Sequence, residues 1–336
     1  MDEYPAPFLN ATVHLPCIHQ LPRALLAIAG GLLVLHSPVA GAGPIAEAFQ
    51  ARRVAATSDE GDNTFLEPDG GQSAARLPPG TRVERDVAYG PDSAQRLDVY
   101  LPAQAQAAPV VFMVHGGAWM VGDKAAAKVV DNKVAHWLPQ GVAVVSINYR
   151  MSRTPRVLDQ VDDVARALAL VQARASGWGL DTRRVLVMGH SAGAHLVALM
   201  TSDPALATAH GAQPWLGTVA LDSAALDVPQ IMQKRHYGFY DRVFGADPVF
   251  WASVSPLQRL QATPVVPMLL VCSFRRSDSC PPAHAFAARA QGLGGTVTVL
   301  PVNLSHADVN GTLGLDGPYT RAVDDFARKS GFLGVR

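Results

Sequence analysis

The amino-acid sequence predicts an α/β fold, in which helices flank both faces of a mostly parallel central sheet. Three observations predict it. Short apolar runs of strand length alternate with segments of helical periodicity from about residue 82 onwards. A Gly-x-Ser-x-Gly pentapeptide, residues 189–193, directly follows one such run, as at a sharp strand-to-helix turn. Hydrophobic residues make up 49% of the 336-residue chain, enough for a large core.

The strands are predicted from the apolar pattern. Arg96–Leu101 alternates as an edge strand does, and it stops at Pro102. Continuous apolar runs are typical of parallel strands that are buried on both faces. Such runs lie at residues 110–114, 142–147, 185–188, 217–221, 268–271 and 297–302.

Helical spacing separates these runs. Segments 124–138, 157–175 and 319–329 and the stretch after Ser191 are predicted helices. The interval 226–256 differs, because aromatic residues crowd it with glycine and proline between them. We expect this interval to be a small aromatic-rich cap inserted into the α/β pattern.

Charge excludes one class of partner. The chain has 28 basic and 28 acidic residues, so its formal net charge is zero. No run of lysine and arginine gives the electrostatic footprint of a nucleic-acid-binding protein. We therefore expect no nucleic-acid partner, and the sequence does not fix an oligomeric state.

The N-terminal segment resembles an export signal. Arg23 precedes the apolar run 24–35, and Ala40-Gly41-Ala42 follows, which is the order found in secretory signal peptides. The run is shorter than the roughly 20 residues of a spanning helix. Residues 1–42 are thus a predicted signal peptide, 43–80 a poorly ordered lead-in and 81–336 the folded domain. Residues 1–22, which include Asp2 and Glu3, fit a signal peptide less well. The alternative for the run 24–35 is a buried helix or an uncleaved anchor.

This prediction fixes the expected compartment. The protein would be secreted or periplasmic, with no stable membrane span after signal cleavage, and cytoplasmic if the run 24–35 is not a signal. Cys272 and Cys280 would be the two cysteines that remain in the mature chain. They could form a disulfide in an oxidising compartment or stay as two unrelated thiols.

Two segments carry residues suited to acyl chemistry. Ser191 lies at the corner of the pentapeptide, where its hydroxyl would be held exposed as a nucleophile. The strand 110–114 ends in His115-Gly116-Gly117-Ala118-Trp119. Adjacent glycines let backbone N–H groups approach a developing oxyanion, although a tight turn also uses them.

These two motifs together resemble the esterase and lipase branch of the α/β-hydrolase family. The resemblance is closest to a group of bacterial carboxylesterases, acetyl-xylan or feruloyl-type esterases and kynurenine formamidases. It extends over residues 82–332, and Ala194 departs from it where many relatives have glycine. Further matches are Gly122-Asp123-Lys124, Asn148-Tyr149-Arg150, Asp163 and Ser255-Pro256.

The resemblance implies a catalytic triad in the chain order serine, acid, histidine. Asp278 follows the next-to-last strand, four positions before Pro282, and is the expected acid. His306 follows the last strand and is the expected base, with Asp308 as the alternative acid. The N–H groups of Gly116, Gly117 and Ala192 would form the oxyanion hole.

The activity implied is hydrolysis of a small-molecule carboxylic ester through an acyl-enzyme, without metal or organic cofactor. Two alternatives keep the same residues: an amidase or formamidase, and an acetyl-xylan or feruloyl-type esterase. A third, a non-catalytic binding protein on the same scaffold, would not need the complete set of candidate residues.

Overall fold

One eight-stranded sheet organises the computed structural model, which describes residues 71–73, 77–152, 154 and 156–334. The strand order is β1-β2-β4-β3-β5-β6-β7-β8. The strands are β1 (Arg82–Ala88), β2 (Arg96–Leu101), β3 (Ala108–Val114), β4 (Ala143–Ile147), β5 (Leu180–His190), β6 (Gly217–Leu221), β7 (Met268–Ser273) and β8 (Val297–Val302). The predicted signal peptide, 1–42, lies outside the described residues, as does 43–70.

Eleven α-helices are found among the described residues. They are α1 (Ala127–Trp137), α2 (Val157–Trp178), α3 (Ala192–Ser202), α4 (Ala205–Thr208), α5 (Val228–Met232), α6 (Gly238–Phe244), α7 (Pro248–Ser253), α8 (Pro256–Arg259), α9 (Cys280–Gly292), α10 (His306–Gly311) and α11 (Pro318–Lys329). In that part of the chain, no helix combines the length and apolar character needed to cross a membrane.

The sheet is mostly parallel, which confirms the predicted fold class. β1 and β2 are antiparallel, β2 is antiparallel to β4, and every further pair is parallel. The prediction that β2 lies at the edge is wrong, because β1 covers its outer side. Its one polar residue between apolar ones, Asp98, is buried and paired with Lys124 at 2.9 Å and Arg85 at 3.2 Å. The alternation thus came from a buried ion pair and not from solvent exposure.

Helices cover both faces of the sheet, and alternate residues of β3 show how. Phe112 packs into the cluster that contains Leu168 of α2 and Leu196 of α3. Met113 points to the opposite face, where it packs in the cluster with Val134 of α1 and the side chains of α11. Burying each such side chain contributes about 1.5–3 kcal/mol to folding. These two layers fix the strands whose carboxyl ends carry the candidate site.

The predicted cap interval 226–256 lies between β6 and β7 and contains α5, α6 and α7. Its aromatic side chains form a packed group, in which Phe239, Tyr240 and Phe244 are buried. Tyr240 lies 6.1 Å and Phe244 5.2 Å, between ring centroids, from Trp119 of the loop after β3. The cap therefore packs on the carboxyl end of the sheet, where ligands bind in α/β folds.

Candidate active site

Ser191 occupies a strained turn between β5 and α3. Its backbone has φ 52° and ψ −115°, a region that costs a residue with a side chain about 1–3 kcal/mol. The flanking glycines are required by close packing. A Cβ on Gly189 would lie 2.3 Å from the carbonyl oxygen of Gly193, and one on Gly193 would lie 2.3 Å from that of Val114. The predicted strand-to-helix turn at the serine is thus present.

The loop after β3 runs directly beside Ser191. A Cβ on Gly116 would lie 3.0 Å from the Cβ of Ser191 and 3.2 Å from the carbonyl oxygen of His190. Gly117 has φ 110°, and Ala118 and Trp119 also have positive φ, at 49° and 62°. Such strain persists only where the surroundings hold it, and it concentrates at functional sites.

Three side chains from other elements hold this loop. Gln160 of α2 donates from Nε2 to the carbonyl oxygen of Trp119 at 2.8 Å. The Tyr149 hydroxyl donates to the carbonyl oxygen of His115 at 3.1 Å. The Trp119 indole donates to Nδ1 of His195 on α3 at 3.2 Å. The tyrosine of the Asn-Tyr-Arg motif and the tryptophan of the glycine motif therefore both fix the loop.

His306 is the first residue of α10, whose N-terminus is capped by the Ser305 side chain. Its ring lies 4.6 Å, centroid to centroid, from the ring of His190, the residue before Ser191. His190 Nε2 also donates to the backbone carbonyl of His306 at 3.0 Å. The predicted base thus lies beside the strand that carries the predicted nucleophile.

Asp222, which directly follows β6, is the carboxylate that contacts this histidine. Its Oδ2 lies 2.6 Å from His306 Nδ1, and its side chain is fully buried. Oδ1 accepts hydrogen bonds from the backbone N–H of Ser273 at 2.7 Å and from the hydroxyl of Ser279. Asp222 also has a positive φ, of 57°. The backbone is therefore strained at the nucleophile, at the loop after β3 and at this acid.

The surroundings of Asp222 keep it ionised. Burial opposes the charge, but the hydrogen bond to His306, the positive charges of Arg276 and His306 and the hydroxyl of Ser279 outweigh it. Together they hold the pKa of the Asp222 carboxyl well below its ordinary value. A carboxylate that stays charged can orient an imidazole and stabilise its protonated form.

The structure does not place the predicted acid, Asp278, against His306. Both carboxylate oxygens of Asp278 accept from Arg276, at 3.1 Å from Nε and 3.1 Å from Nη2, and its side chain is 40% exposed. Arg276 lies between it and the histidine. Asp308, the alternative acid, is engaged by Ser305, whose hydroxyl donates to the Asp308 carboxylate and accepts from the Asp308 backbone N–H at 3.1 Å. Asp222 therefore replaces Asp278 as the candidate acid.

One sequence signal could have indicated Asp222. It follows the buried run 217–221, and β6 is the strand next to β5 in the sheet. The carboxyl ends of β6 and β7 point to the same edge, because the two strands are parallel. A carboxylate on either loop can thus approach a histidine that follows β8, and sequence order alone does not choose between them.

A pocket joins these elements. It is lined by Ser191, Asp222, Arg276, residues of the loop after β3 and the cap residues Phe239 and Tyr240. Ser191 and Asp222 thus open on one space with aromatic walls. Among the described residues, no group of three or more His, Cys, Asp and Glu side chains is arranged to hold a metal.

Cys272 and Cys280 are joined by a disulfide, with their Cα atoms 5.0 Å apart. The bridge links the end of β7 to the first residue of α9. It closes the loop that contains Arg276, Asp278 and Ser279. The pairing that the sequence left open therefore restrains residues that contact Asp222.

Comparisons with known proteins match parts of this chain to esterases. A family model described as BD-FAE matches residues 97–212. A probable isoprenylcysteine alpha-carbonyl methylesterase from Oryza sativa subsp. japonica is 33% identical over 133 residues, 39% of this chain and 31% of the relative. Esterase LipC from Mycobacterium tuberculosis is 38% identical over 120 residues, 34% of this chain and 28% of the relative. The chain thus spans about a third of the length of these curated relatives.

Solved structures match over more of the chain. Esterase B from Lactobacillus rhamnosis superposes with a TM-score of 0.61 at 20% identity, covering 85% of this chain and 92% of that one. A truncated carbohydrate esterase from gut microbiota superposes with a TM-score of 0.65 at 18% identity, covering 78% of this chain and 100% of that one. These structures share its fold. The chain is thus similar in sequence to esterases over about a third of its length, and it shares the fold of solved esterases over most of its length.

Proposed function

We propose that this protein hydrolyses carboxylic esters, with Ser191 as nucleophile, His306 as general base and Asp222 as the acid that orients the base. The observation that carries the proposal is the 2.6 Å contact between His306 Nδ1 and the buried Asp222 carboxylate. The pocket beside it is lined by both Ser191 and Asp222. A serine on a strained turn and a carboxylate-bound histidine are the parts that acyl transfer needs.

The reaction follows from the chemistry of each group. His306 takes the hydroxyl proton of Ser191 as the oxygen attacks the ester carbonyl carbon. Asp222 accepts the Nδ1–H hydrogen bond, which places the lone pair of the neutral imidazole on Nε2, the atom that acts as the base. His306 then gives the proton to the leaving alcohol oxygen, and a water molecule hydrolyses the acyl-enzyme by the same steps.

The oxyanion is held by backbone N–H groups. Gly116, Gly117 and Ala192 are the proposed donors, because the glycine loop runs beside Ser191 and Ala192 starts α3. Each donor of this kind contributes about 2.7–4 kcal/mol to the transition state. Strain in the loop at Ala118 and Trp119 fits a preorganised arrangement.

The lining of the pocket supports short acyl groups. The buried rings of Trp119, Phe239 and Tyr240 form its walls. We expect kcat/KM to be highest for acetyl to butyryl p-nitrophenyl esters and to fall steeply by the decanoyl ester, and equal rates across that series would contradict this.

Export is the second part of the proposal. The signal-like segment 1–42 and the disulfide between Cys272 and Cys280 both favour an oxidising compartment outside the cytoplasm. Expression of the full chain in a bacterial host, followed by fractionation and mass spectrometry of the N-terminus, tests it. A cleaved chain near residue 42 outside the cytoplasm is expected, and an intact chain in the cytosol would contradict export.

Covalent labelling tests the nucleophile directly. A fluorophosphonate probe should label the wild-type protein at Ser191 and leave Ser191→Ala unlabelled, and the variant should lose turnover of p-nitrophenyl butyrate. Ser223→Ala is the matched control, since Ser223 lines the same pocket without lying on the turn. Equal turnover by Ser191→Ala and wild type would overturn the proposal. N-formylkynurenine as a second substrate separates an esterase from a formamidase.

A further inference from the structure

We propose that Arg276 is a positioning residue that tunes the catalytic histidine: its guanidinium bridges Asp222 and Asp278 and opposes protonation of His306. This inference rests on the proposed function, in which His306 is the base. It assigns a role to the loop after β7, which the triad of Ser191, His306 and Asp222 leaves unexplained.

Three polar atoms form a close triangle at the base of the site. Arg276 Nη1 lies 2.8 Å from Asp222 Oδ2 and 2.7 Å from His306 Nδ1. The third side, from His306 Nδ1 to Asp222 Oδ2, is 2.6 Å. Only 13% of the Arg276 side chain is exposed to solvent. A fixed cation thus contacts both atoms of the bond between Asp222 and His306.

The charge of Arg276 is held by two carboxylates. Burial disfavours the cation, but Asp222 and Asp278 outweigh burial and raise the pKa of Arg276. Its Nε and Nη2 donate to Asp278 in the paired geometry that fixes a guanidinium plane. Nη1 is thereby directed towards Asp222 and His306. Asp278 sets where the cation lies, and the disulfide between Cys272 and Cys280 closes the loop around both.

Protonation of His306 brings a second positive charge next to this triangle. Because Nδ1–H already donates to Asp222, the added proton binds at Nε2 and makes the ring positive. The positive ring then lies beside the guanidinium, whose Nη1 is 2.7 Å from Nδ1, and the two like charges repel each other. Arg276 therefore disfavours the imidazolium, while Asp222 favours it.

Other charged and titratable groups around His306 complete the balance. Asp222 comes from the end of β6, Arg276 and Asp278 follow β7, and His190 ends β5 with its ring 4.6 Å from that of His306. Asp308 belongs to α10 itself and is bonded to Ser305. With Arg276 charged and His306 neutral, the cluster of Asp222, Asp278 and Arg276 has two carboxylates against one cation. Loss of the cation would favour the imidazolium, and loss of the Asp278 charge would disfavour it.

The pH dependence of kcat/KM separates tuning from a merely structural role. Arg276→Gln should raise the acidic midpoint of the kcat/KM profile by about one pH unit. The reason is that one nearby charge changes the proton affinity of an imidazole by about tenfold. Arg276→Lys keeps the charge but cannot make the paired contact with Asp278, so its midpoint should lie between those of wild type and Arg276→Gln. Asp278→Asn should move the midpoint down by about 0.3 pH unit, since its carboxylate is half-exposed and acts through Arg276.

A readout without substrate separates this inference from the proposed function. The imidazole Cε1–H signal of His306 can be assigned by its loss in His306→Gln. The titration midpoints of this signal in wild type and the three variants should follow the same order as the midpoints of the kcat/KM profiles. Failure of wild type to hydrolyse any ester would remove the proposed function and leave this titration to decide the role of Arg276. An unchanged midpoint in both Arg276→Gln and Asp278→Asn would overturn the inference, as would a downward shift in Arg276→Gln. If Arg276→Gln does not fold, an unchanged midpoint in Asp278→Asn overturns it alone.

Discussion

The Trp119 indole donates a hydrogen bond to Nδ1 of His195 at 3.2 Å, behind the turn that carries Ser191. The other ring nitrogen of His195, Nε2, lies 2.7 Å from the carbonyl oxygen of Val254 and donates to it. His195 is thus held as the neutral Nε2–H tautomer. One buried imidazole joins the loop after β3, the helix α3 and the end of the cap.

This arrangement predicts a loss of stability in weak acid. Burial lowers the pKa of His195 to about 4, with the hydrogen bond to Val254 acting against it, whereas an unfolded histidine titrates near 6.5. Between pH 6.5 and 4 the unfolded chain therefore binds a proton that the folded protein does not. The free energy of unfolding should fall by about 3 kcal/mol as pH decreases through that window.

Urea unfolding at a series of pH values measures this effect. His195→Gln should be less stable at pH 7 but should lose less stability between pH 6.5 and 4. His284→Gln is the control, because His284 is exposed on α9. An identical pH slope in His195→Gln and wild type would show that His195 does not cause the loss.

A methyl group at Gly116 should disable the site without unfolding the protein. The Cβ of Gly116→Ala would lie 3.0 Å from both the Cβ of Ser191 and Nδ1 of His190, so the loop must move away from the nucleophile. We expect kcat to fall by about 100-fold, the effect of losing one oxyanion donor. Gly177→Ala, an exposed position on α2 with nothing within 4 Å of the added Cβ, should keep wild-type kcat. Equal kcat for both variants would remove the loop from the oxyanion site.

Loss of the disulfide should lower thermal stability. The bridge between Cys272 and Cys280 closes a short loop, for which chain entropy gives about 2–3 kcal/mol. For a domain of this size the melting temperature should fall by about 5–10 °C in reductant. The double variant Cys272→Ala/Cys280→Ala should melt at the reduced value with or without reductant. A wild-type melting curve that reductant does not move would contradict a stabilising bridge.

Much of the fold could be predicted because buried parallel strands are continuous apolar runs. The runs 217–221 and 297–302 coincide with β6 and β8, and the glycines of the serine turn mark a crossing that admits no side chain. β1 was not predicted, since its residues are mostly exposed or half-buried and show no clean alternation. The buried ion pair at Asp98 likewise gave β2 the alternating pattern of an edge strand, although β1 covers its outer side.

The identity of the acid could not be derived from spacing. Asp222 and Asp278 both follow parallel strands that end at one edge of the sheet, and either loop can approach His306. The choice depends on a backbone φ of 57° at Asp222 and on Arg276 between Asp278 and the ring. Neither feature has a sequence pattern, because both arise from tertiary packing.

We expect Asp222, and not Asp278, to orient the catalytic histidine, because Asp222 contacts His306 Nδ1 at 2.6 Å. The most direct measurement is kcat for p-nitrophenyl butyrate at pH 8 with Asp222→Asn and Asp278→Asn side by side. We expect Asp222→Asn to lose about 10⁴-fold, as an amide stabilises the wrong tautomer, and Asp278→Asn to stay within about threefold of wild type. A loss of about 10⁴-fold in Asp278→Asn, with Asp222→Asn close to wild type, would show that Asp278 is the acid.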